Sequence, residues 1–298
     1  TNAINTNNSS KIDSIIIEDI ENICNELQDV LKKFEGSTWL ISGGGGFIGG
    51  YFLDILSYCN KVLFTKPCRI PERISHLKKD RNFHMCDKNV VKPIKIHGKI
   101  DYVVHAASIA SPTYYRKYPL ETIETNVLGL INLLELARKK KAKSFLSFST
   151  SEIYGDPPAE WIPTPENYNG NVSCTGPRAC YDESKRLGET LCTAYYRQYK
   201  IPIKVVRPFN VFGPGLRIDD KRVIPDFFNN ALSGKKIQLL SSGSPTRSFC
   251  YISDAMCGFM KAILSDFNGE AFNIGNDQIE ISMLDLAKKV AEMSGGVG

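Results

Sequence analysis

The stretch Trp39-Leu40-Ile41-Ser42-Gly43-Gly44-Gly45-Gly46-Phe47-Ile48-Gly49-Gly50 decides the fold of this chain. Its apolar beginning predicts the end of a buried strand, and apolar residues at helical spacing from Phe47 onward predict a helix. Between them, Gly43, Gly46 and Gly49 allow a turn whose backbone approaches phosphate groups closely. A helix N-terminus behind such a turn offers unpaired N–H groups to an anion. The glycines alone also fit a flexible turn, but strand, turn and helix together predict a dinucleotide site.

The composition limits the classes of protein to which this chain can belong. Its 298 residues suffice for one large domain or two, and a net charge of +5 does not indicate a nucleic-acid partner. Nine cysteines without a Cys-x-x-Cys pair indicate neither a metal site nor a disulfide framework, which suits a reducing compartment. No run is apolar enough for a membrane span, and no secretory signal is recognisable. We therefore expect a cytoplasmic protein with no metal, membrane or nucleic-acid partner.

Short apolar strands alternate with helical patterns along the chain. The predicted strands are 40–41, 61–65, 102–105, 144–149 and 203–206. The predicted helices are 15–34, the one from Phe47, 123–137 and 181–199. This alternation predicts an α/β fold, a doubly wound parallel-sheet Rossmann domain. We expect it over 37–207, with an N-terminal extension (1–36) whose single helix packs outside it, and a smaller substrate-binding lobe (208–298) that partly returns to the core.

A phenol and an ammonium group are spaced so that they can act together. Tyr181 and Lys185 are four residues apart, so on a helix they share one face. A lysine cation favours the phenolate and lowers the pKa of the phenol, so the pair can take a proton from an alcohol during hydride transfer. The spacing alone is frequent by chance. Hydroxyl groups in Ser149–Gly155, at the end of a predicted strand, strengthen the reading because the carboxyl ends of parallel strands form the ligand edge.

With these motifs the chain resembles the extended short-chain dehydrogenase/reductase family, which acts on nucleotide sugars. The resemblance runs from about Ser37 to the C-terminus. The motifs that carry it are Ser42–Gly49, His105–Ala107, Thr125–Val127, Ser149–Gly155, Tyr181–Lys185 and Arg207–Pro214.

The resemblance implies roles for individual residues. Thr150 hydrogen-bonds the sugar 4-oxygen, Glu152 lies beside C5, Tyr181 accepts the proton, and Lys185 holds the nicotinamide ribose. The implied cofactor contacts are Gly43, Gly46, Phe47, Ile48, Asp87 (at the adenine), Ala106, Ala107, Asn126, Tyr181, Lys185 and Pro208. The implied substrate contacts are Tyr115, Ser151, Asn210, Arg222 and Arg247.

Within the family, the chain looks most like the UDP-glucuronate decarboxylases, which make UDP-xylose. The discriminating position is Ser151: related 4,6-dehydratases carry an aspartate there to protonate a leaving hydroxyl, and simple 4-epimerases usually lack the following glutamate, here Glu152. Decarboxylation needs no such acid, and a serine avoids repulsion with the substrate carboxylate. The implied function is NAD-dependent oxidation at C4, decarboxylation and hydride return. The alternatives are a nucleotide-hexose 4,6-dehydratase or epimerase and, in another class, a catalytically silent sugar-nucleotide-binding protein.

One departure from the family concerns the cofactor. The predicted strand 61–65 lacks the acidic residue that usually follows it and holds the NAD ribose. Lys66 or Arg69 is placed to meet a 2′-phosphate instead. We therefore expect NAD, with NADP as the alternative, and a nucleotide sugar, most simply a UDP-sugar, as the partner.

The resemblance also implies a homodimer. Two helices of each subunit, near 120–139 and 181–199, would form a four-helix bundle. We expect Leu133, Leu134, Leu191 and Tyr195 to lie on faces that the sheet does not need and to be buried in this bundle. Relative to the family, the chain ends early.

Overall fold

The computed structural model describes residues 13–57, 61–65, 72–86 and 88–295. The strands, in chain order, are β1 (Thr38–Ser42), β2 (Lys61–Thr65), β3 (Phe83–Cys86), β4 (Tyr102–His105), β5 (Ser144–Phe148), β6 (Ile203–Pro208), β7 (Val211–Phe212), β8 (Thr246–Ser248), β9 (Cys250–Tyr251), β10 (Ala271–Ile274) and β11 (Glu280–Ser282). The helices are α1 (Ser14–Glu26), α2 (Gln28–Leu31), α3 (Phe47–Ser57), α4 (Pro112–Lys117), α5 (Pro119–Lys140), α6 (Ala179–Tyr199), α7 (Val223–Leu232), α8 (Ile252–Leu264) and α9 (Met283–Met293). Short 3-10 segments are Lys32–Phe34, Glu72–Lys79, Ser151–Tyr154 and Ala159–Trp161.

Strand β1 lies inside a parallel sheet of seven strands, ordered β3-β2-β1-β4-β5-β6-β10. It pairs with β2 on one side and β4 on the other, with Ile41 opposite Phe64 and Val104. The chain order therefore reverses at β1. In open parallel sheets, ligands bind at the carboxyl ends of the strands at such a reversal. The glycine turn follows β1 directly, so the topology puts it at this crevice.

Side chains that alternate along the strands bury two separate cores. Trp39 and Ile41 face the layer of α1, α3 and α8, whereas Leu40 faces α5 and α6. In the first core, Phe148 packs edge-on against Phe52 of α3 and Phe259 of α8. Helices thus cover both faces of the sheet, which confirms the predicted doubly wound α/β fold.

Helix α1 packs outside the Rossmann core, against α3 and α8, as predicted. Its buried Asp19 accepts hydrogen bonds from Tyr51 (2.8 Å) and Tyr251 (3.2 Å). The predicted single helix over 15–34 is interrupted at Leu27, where φ is −101° and ψ is 12°. The break redirects the chain so that both Leu27 and Phe34 are buried in the same apolar core.

The chain after β6 divides between the main fold and a second, smaller core. Helix α8 packs on the sheet and β10 extends its edge beside β6. Helices α7 and α9 pack together through a separate apolar cluster, and β8 pairs with β11 in antiparallel fashion. The members of that cluster are Phe227, Ala231, Ala287 and Val290.

Helices α5 and α6 pack against each other over the second core of the sheet. Leu133 and Leu134 are fully buried in this core, and Leu191 and Tyr195 pack against it half-buried. The prediction that the sheet does not need these side chains, and that a dimer interface buries them, is therefore wrong. The helices are apolar on more than one face, so spacing alone did not identify the face that the sheet requires. The large apolar side chains that the two helices expose are Leu120, Ile123, Leu128, Leu187 and Tyr199.

None of the helices in the described part of the chain combines the length and the apolar character that crossing a bilayer requires.

Candidate active site

The glycine turn after β1 packs closely against the end of β4. Gly43 has a φ of +74°, and a Cβ atom there would lie 2.6 Å from the backbone nitrogen of Ala107. A Cβ on Gly49 would lie 2.3 Å from the carbonyl oxygen of Gly43. Bare backbone therefore lines the space between the turn and the N-terminus of α3, where Phe47 and Ile48 begin the helix. This cradle suits a dinucleotide pyrophosphate, since helix N–H groups and a positive dipole end face it.

A buried histidine joins β1 to β4 below the cradle. His105 Nδ1 lies 2.8 Å from Ser42 Oγ, and Ala107 donates its backbone N–H to the same hydroxyl at 3.3 Å. Burial lowers the pKa of His105 to about 3, so the ring is neutral at physiological pH. The pair holds Ala106 and Ala107 against the glycine turn. Ser42 and His105 both lie in the family motifs, but no role for either was predicted from the sequence.

Asn126 connects α5 to the active-site helix. Its side chain donates to Ser184 Oγ at 2.8 Å and accepts from Ser108 Oγ at 2.8 Å. Ser184 in turn donates to the carbonyl oxygen of Tyr181 at 2.9 Å. With both ends of its amide engaged, buried Asn126 fixes the start of α6 relative to the β4 edge.

Tyr181, Thr150 and Lys185 are brought together as predicted. The phenol of Tyr181 hydrogen-bonds the Thr150 side chain. Lys185 Nζ lies 5.8 Å from the centroid of the Tyr181 ring and donates to the carbonyl oxygen of Phe148 at 2.6 Å. Helix α6 places the phenol and the ammonium one turn apart, and the end of β5 supplies the threonine.

Burial dominates the proton affinities of this group. It raises the pKa of Tyr181 to about 12, although the Thr150 hydrogen bond and the Arg222 charge lower it. It lowers the pKa of Lys185 to about 8. At pH 7 the ligand-free site therefore holds a protonated phenol beside a lysine that is still charged. Such a phenol becomes a useful base only when further positive charge or a hydrogen-bonding substrate arrives.

A second tyrosine lies flat against Tyr181. The ring of Tyr115 from α4 is stacked on it, with centroids 5.0 Å apart and planes 7° from parallel. The Tyr115 hydroxyl is buried and has no hydrogen-bond partner among the described residues. An unpartnered buried hydroxyl is costly, so it is a natural contact for a polar ligand. This geometry fits the predicted substrate contact.

An ion-pair cluster adjoins the two phenols. Thr150 caps the 3-10 turn that begins at Ser151, and its hydroxyl accepts from the backbone N–H of Glu152 at 3.2 Å. The Glu152 carboxylate accepts from Arg178, whose Nε lies 3.5 Å from Asp182 Oδ2. The sequence assigned no role to Arg178 or Asp182, although Asp182 lies within the Tyr181–Lys185 motif.

A second buried network supports the end of β6. Arg207 pairs with Glu189, with Nε to Oε1 at 2.9 Å and Nη2 to Oε2 at 2.6 Å. It also donates to the Tyr154 hydroxyl at 2.7 Å, and Ser149 Oγ donates to Glu189 at 2.5 Å. This network ties the strand end before Thr150 to α6. It was not predicted, because nothing in the sequence pairs Glu189 with a residue eighteen positions later.

The predicted residues of the C-terminal part occupy different places. Arg222 lies near enough for its charge to act on Tyr181, and it pairs with Asp220 at 2.5 Å. Asn210, with φ +43°, donates its side chain to the carbonyl oxygen of Ser248 at 2.9 Å. Arg247 is exposed on β8, where it donates to the carbonyl oxygen of Thr246 at 2.8 Å. Its described contacts do not reach the Tyr181 group.

The remaining predictions divide by location. Gly46 donates its N–H to Gly43 within the turn at 2.9 Å, and Pro208 ends β6 at the ligand edge. Asp87, Lys66 and Arg69 lie outside the described residues, so their predicted roles stay predictions. Within the described ranges, no cluster of three or more histidine, cysteine or acidic side chains has the arrangement of a metal site.

This fold and site are those of a dinucleotide-dependent enzyme, with a glycine turn at the chain reversal of a parallel sheet and a buried tyrosine and lysine one helical turn apart on α6. The model of the NAD dependent epimerase/dehydratase family matches residues 39–275. The chain belongs to this family.

Curated relatives and solved structures agree with that assignment. The chain is 42% identical over 259 residues to UDP-glucuronic acid decarboxylase 5 of Arabidopsis thaliana, covering 85% of this chain and 74% of the relative. It is 35% identical over 315 residues to UDP-glucuronic acid decarboxylase 1 of Xenopus tropicalis, covering 99% of this chain and 72% of the relative. The fold is similar to that of the epimerase Mth375 of Methanothermobacter thermautotrophicus, with a TM-score of 0.78, 22% identity and coverage of 92% of this chain and 81% of the other. The fold is also similar to that of DesIV, the dTDP-glucose 4,6-dehydratase of Streptomyces venezuelae. The TM-score is 0.75 at 22% identity, covering 87% of this chain and 81% of the other.

Proposed function

We propose that this protein decarboxylates UDP-glucuronate to UDP-xylose, with NAD as a cofactor that is regenerated in each turnover. The proposal depends on one observation: Thr150, Tyr181 and Lys185, the residues proposed to carry out the oxidation, lie together, and Ser151 and Glu152 directly follow Thr150. This combination provides for oxidation at C4 and puts a neutral side chain where a dehydratase needs an acid. The curated relatives named as UDP-glucuronic acid decarboxylases support the same reaction.

The cofactor contacts follow from the glycine cradle. Gly43, Gly46 and the start of α3 would hold the pyrophosphate, Ala106 and Ala107 the neighbouring wall, and Lys185 the nicotinamide ribose. NAD held there would supply the acceptor for the C4 hydride and the donor for its return. Because Asp87, Lys66 and Arg69 lie outside the described residues, NADP stays open as an alternative cofactor.

The side chains of the site account for the proton movements. Tyr181 takes the proton of the sugar 4-hydroxyl, while Thr150 holds the 4-oxygen by a hydrogen bond. Lys185 stabilises the phenolate by its charge. The resulting 4-keto sugar acid is a β-keto acid, which loses CO2 because the ketone accepts the electron pair as an enolate. C5 then takes a proton, which Glu152 would deliver. One proton is consumed per CO2 released.

The substrate contacts extend from the phenol stack into the C-terminal part. Tyr115 offers its unpartnered hydroxyl to the sugar, and Ser151 would face the C6 carboxylate. Arg222, whose charge acts on Tyr181, would contact the diphosphate, since a guanidinium fork matches phosphate oxygens. Asn210 and Arg247 would complete this side. We assign residues up to 207, together with α8 and β10, to the cofactor domain. We assign the unit formed by α7 and α9 to substrate binding.

We also propose a homodimer built on the exposed faces of α5 and α6. Large apolar side chains on two packed helices are an unusual surface for a monomer. Those of Leu120, Ile123 and Leu187 are 70%, 39% and 46% exposed. A four-helix bundle between two copies would bury them.

The test of the proposed function is product mass. Purified protein with NAD is incubated separately with UDP-glucuronate, UDP-glucose and UDP-N-acetylglucosamine, and the products are measured by mass spectrometry. We expect UDP-glucuronate alone to lose about 44 mass units, the mass of CO2. Loss of water from UDP-glucose would favour a 4,6-dehydratase, and a 4-epimer of unchanged mass, resolved by chromatography, would favour an epimerase. No product from any sugar would favour a silent binding protein.

A further inference from the structure

Arg178 lies between two carboxylates, one helical turn before Tyr181. Its Nη2 donates to Glu152, and its Nε lies 3.5 Å from Asp182 Oδ2. One guanidinium cannot neutralise two carboxylates, so the three side chains together carry a net negative charge when both acids are ionised. The Glu152 charge acts on the phenols of both Tyr115 and Tyr181, so the cluster lies within electrostatic reach of the reacting group.

The guanidinium is not fully engaged. Its buried Nε and the buried Asp182 Oδ1 have no hydrogen-bond partner among the described residues. The side chains of Arg178 and Glu152 are 36% and 38% exposed, whereas that of Asp182 is 10% exposed. The Glu152 side of the pair is therefore open to an incoming ligand, and the Asp182 side is fixed in the protein.

The proposed substrate brings a third carboxylate to this place. When the 4-hydroxyl of a hexuronate meets Tyr181 and Thr150, its C6 carboxylate is two bonds away from C4. A carboxylate that approaches a cluster of net negative charge is repelled unless a cation is released for it. Arg222 is proposed to contact the diphosphate, and its partner Asp220 is only 19% exposed, whereas Lys185 donates to a backbone carbonyl. Arg178 is the neighbouring cation whose partner is accessible and exchangeable.

We propose that Arg178 is the specificity-determining residue that receives the sugar carboxylate, exchanging Glu152 for it. This inference rests on the proposed function and names how the site recognises its substrate class. Asp182 anchors the guanidinium during the exchange. The exchange leaves Glu152 free beside C5 when, and only when, an acidic sugar occupies the site. When a neutral nucleotide hexose binds, Arg178 stays paired with Glu152.

The experiment compares the affinities of an acidic and a neutral ligand. UDP-glucuronate and UDP-glucose are titrated calorimetrically into NAD-loaded protein in a Tyr181→Phe background, which prevents turnover. We expect Arg178→Gln to weaken UDP-glucuronate by ~10-fold or more and UDP-glucose by less than ~2-fold, because a charge-assisted pair is lost from the acidic ligand alone. We expect Glu152→Gln to tighten UDP-glucuronate by ~3-fold or more, because the competitor for the guanidinium is gone.

Two further variants separate recognition from structure. Arg178→Lys keeps the charge but loses the fork, so UDP-glucuronate should weaken by less than in Arg178→Gln, and UDP-glucose should be unchanged. Arg197→Gln, at an exposed position of the same helix, is the matched control and should change neither affinity. Circular dichroism checks each fold. Equal losses for both ligands in Arg178→Gln and Arg178→Lys, or weaker binding of UDP-glucuronate in Glu152→Gln, would overturn the inference.

The inference and the proposed function fail differently. If wild-type protein releases CO2 from UDP-glucuronate but the Arg178 variants do not discriminate between the ligands, the inference is wrong and the function stands. If the wild type releases no CO2, the proposed function is wrong. Selective weakening of the acidic ligand would then still support Arg178 as a carboxylate-recognising residue.

Discussion

The rings of Tyr115 and Tyr181 are stacked almost parallel, 7° apart, with centroids separated by 5.0 Å. Tyr115 comes from α4 and Tyr181 from α6, so the stack is a tertiary contact between two helices. It fixes the plane of the proposed base, while the Thr150 hydrogen bond fixes its hydroxyl. The stack therefore orients the Tyr181 ring before any ligand binds, which favours catalysis because less reorganisation is needed.

Tyr181→Phe should retain the stack and the cofactor site but remove the proton acceptor. We expect turnover of UDP-glucuronate to fall by at least ~10²-fold, the usual scale for general acid–base catalysis. NAD affinity and the unfolding temperature should change little. Tyr199→Phe, exposed on the same helix, is the control for removing a tyrosine hydroxyl. Steady-state rates near the wild-type value in Tyr181→Phe would refute the assigned role.

Gly43→Ala should abolish tight cofactor binding. Its Cβ would lie 2.6 Å from the Ala107 nitrogen, so the turn and the end of β4 must separate. Gly36→Ala is a matched control, because Gly36 also has a positive φ, +69°, but a Cβ there meets nothing within 4 Å. Both variants carry the backbone cost of a left-handed alanine, about 1 kcal/mol. Fluorescence titration with NAD should show a loss in Gly43→Ala alone, and similar affinities in both variants would show that the close approach is not needed.

Lys204→Met should stabilise the protein at neutral pH. Lys204 is 2% exposed on β6, and burial lowers its pKa to about 8 from 10.5. Below pH 8 the native chain must bury the charge, so the variant should gain about 1–3 kcal/mol in the free energy of unfolding at pH 7. Between pH 8 and 10.5 the native chain loses a proton that the unfolded chain retains, so the free energy of unfolding of the wild type rises. The difference in unfolding free energy between the variant and the wild type therefore becomes smaller.

Urea denaturation at pH 7 and at pH 9.5 measures this gap. Ser144, which accepts from Lys204 at 3.0 Å, still reaches the carbonyl oxygen of Pro202 in the variant. Lys289→Met, at an exposed position, controls for the loss of a positive charge. If the variant is no more stable than the wild type at pH 7, or if its stability advantage increases with pH, then burying the Lys204 charge does not cost stability.

Cofactor discrimination should be weaker than is usual for the family. The acid that normally follows the second strand and holds the NAD ribose is absent from this sequence. We expect protein stripped of nucleotide to bind NAD with a preference over NADP of less than ~10³-fold, since the usual acid that would repel the 2′-phosphate is missing after 61–65. Calorimetric titration with each cofactor gives the ratio. A larger preference would mean that another group performs the role of the missing acid.

Leu187→Glu should convert the proposed homodimer to a monomer without unfolding it. Leu187 is 46% exposed on α6, and a charge in the centre of an apolar bundle is costly only after assembly. Leu232→Glu is the control, since Leu232 is 70% exposed on α7, away from this face. Light scattering at micromolar concentration should report dimers for the wild type and the control. A monomeric wild type, or a dimeric Leu187→Glu variant, would exclude this interface.

The sequence by itself determined the features that depend on local spacing. The glycine turn and the strands near it are confirmed, and Tyr181 and Lys185 lie close together on α6, because turn chemistry and helical periodicity act between residues close in the chain. The tertiary structure decided which distant residues meet. The stack of Tyr115 on Tyr181, the engagement of Glu152 by Arg178 and the burial of Leu133 and Leu134 depend on sheet order and helix rotation. Local patterns do not constrain these quantities, because side chains on several faces of a helix are apolar and a charged residue can pair with many distant partners.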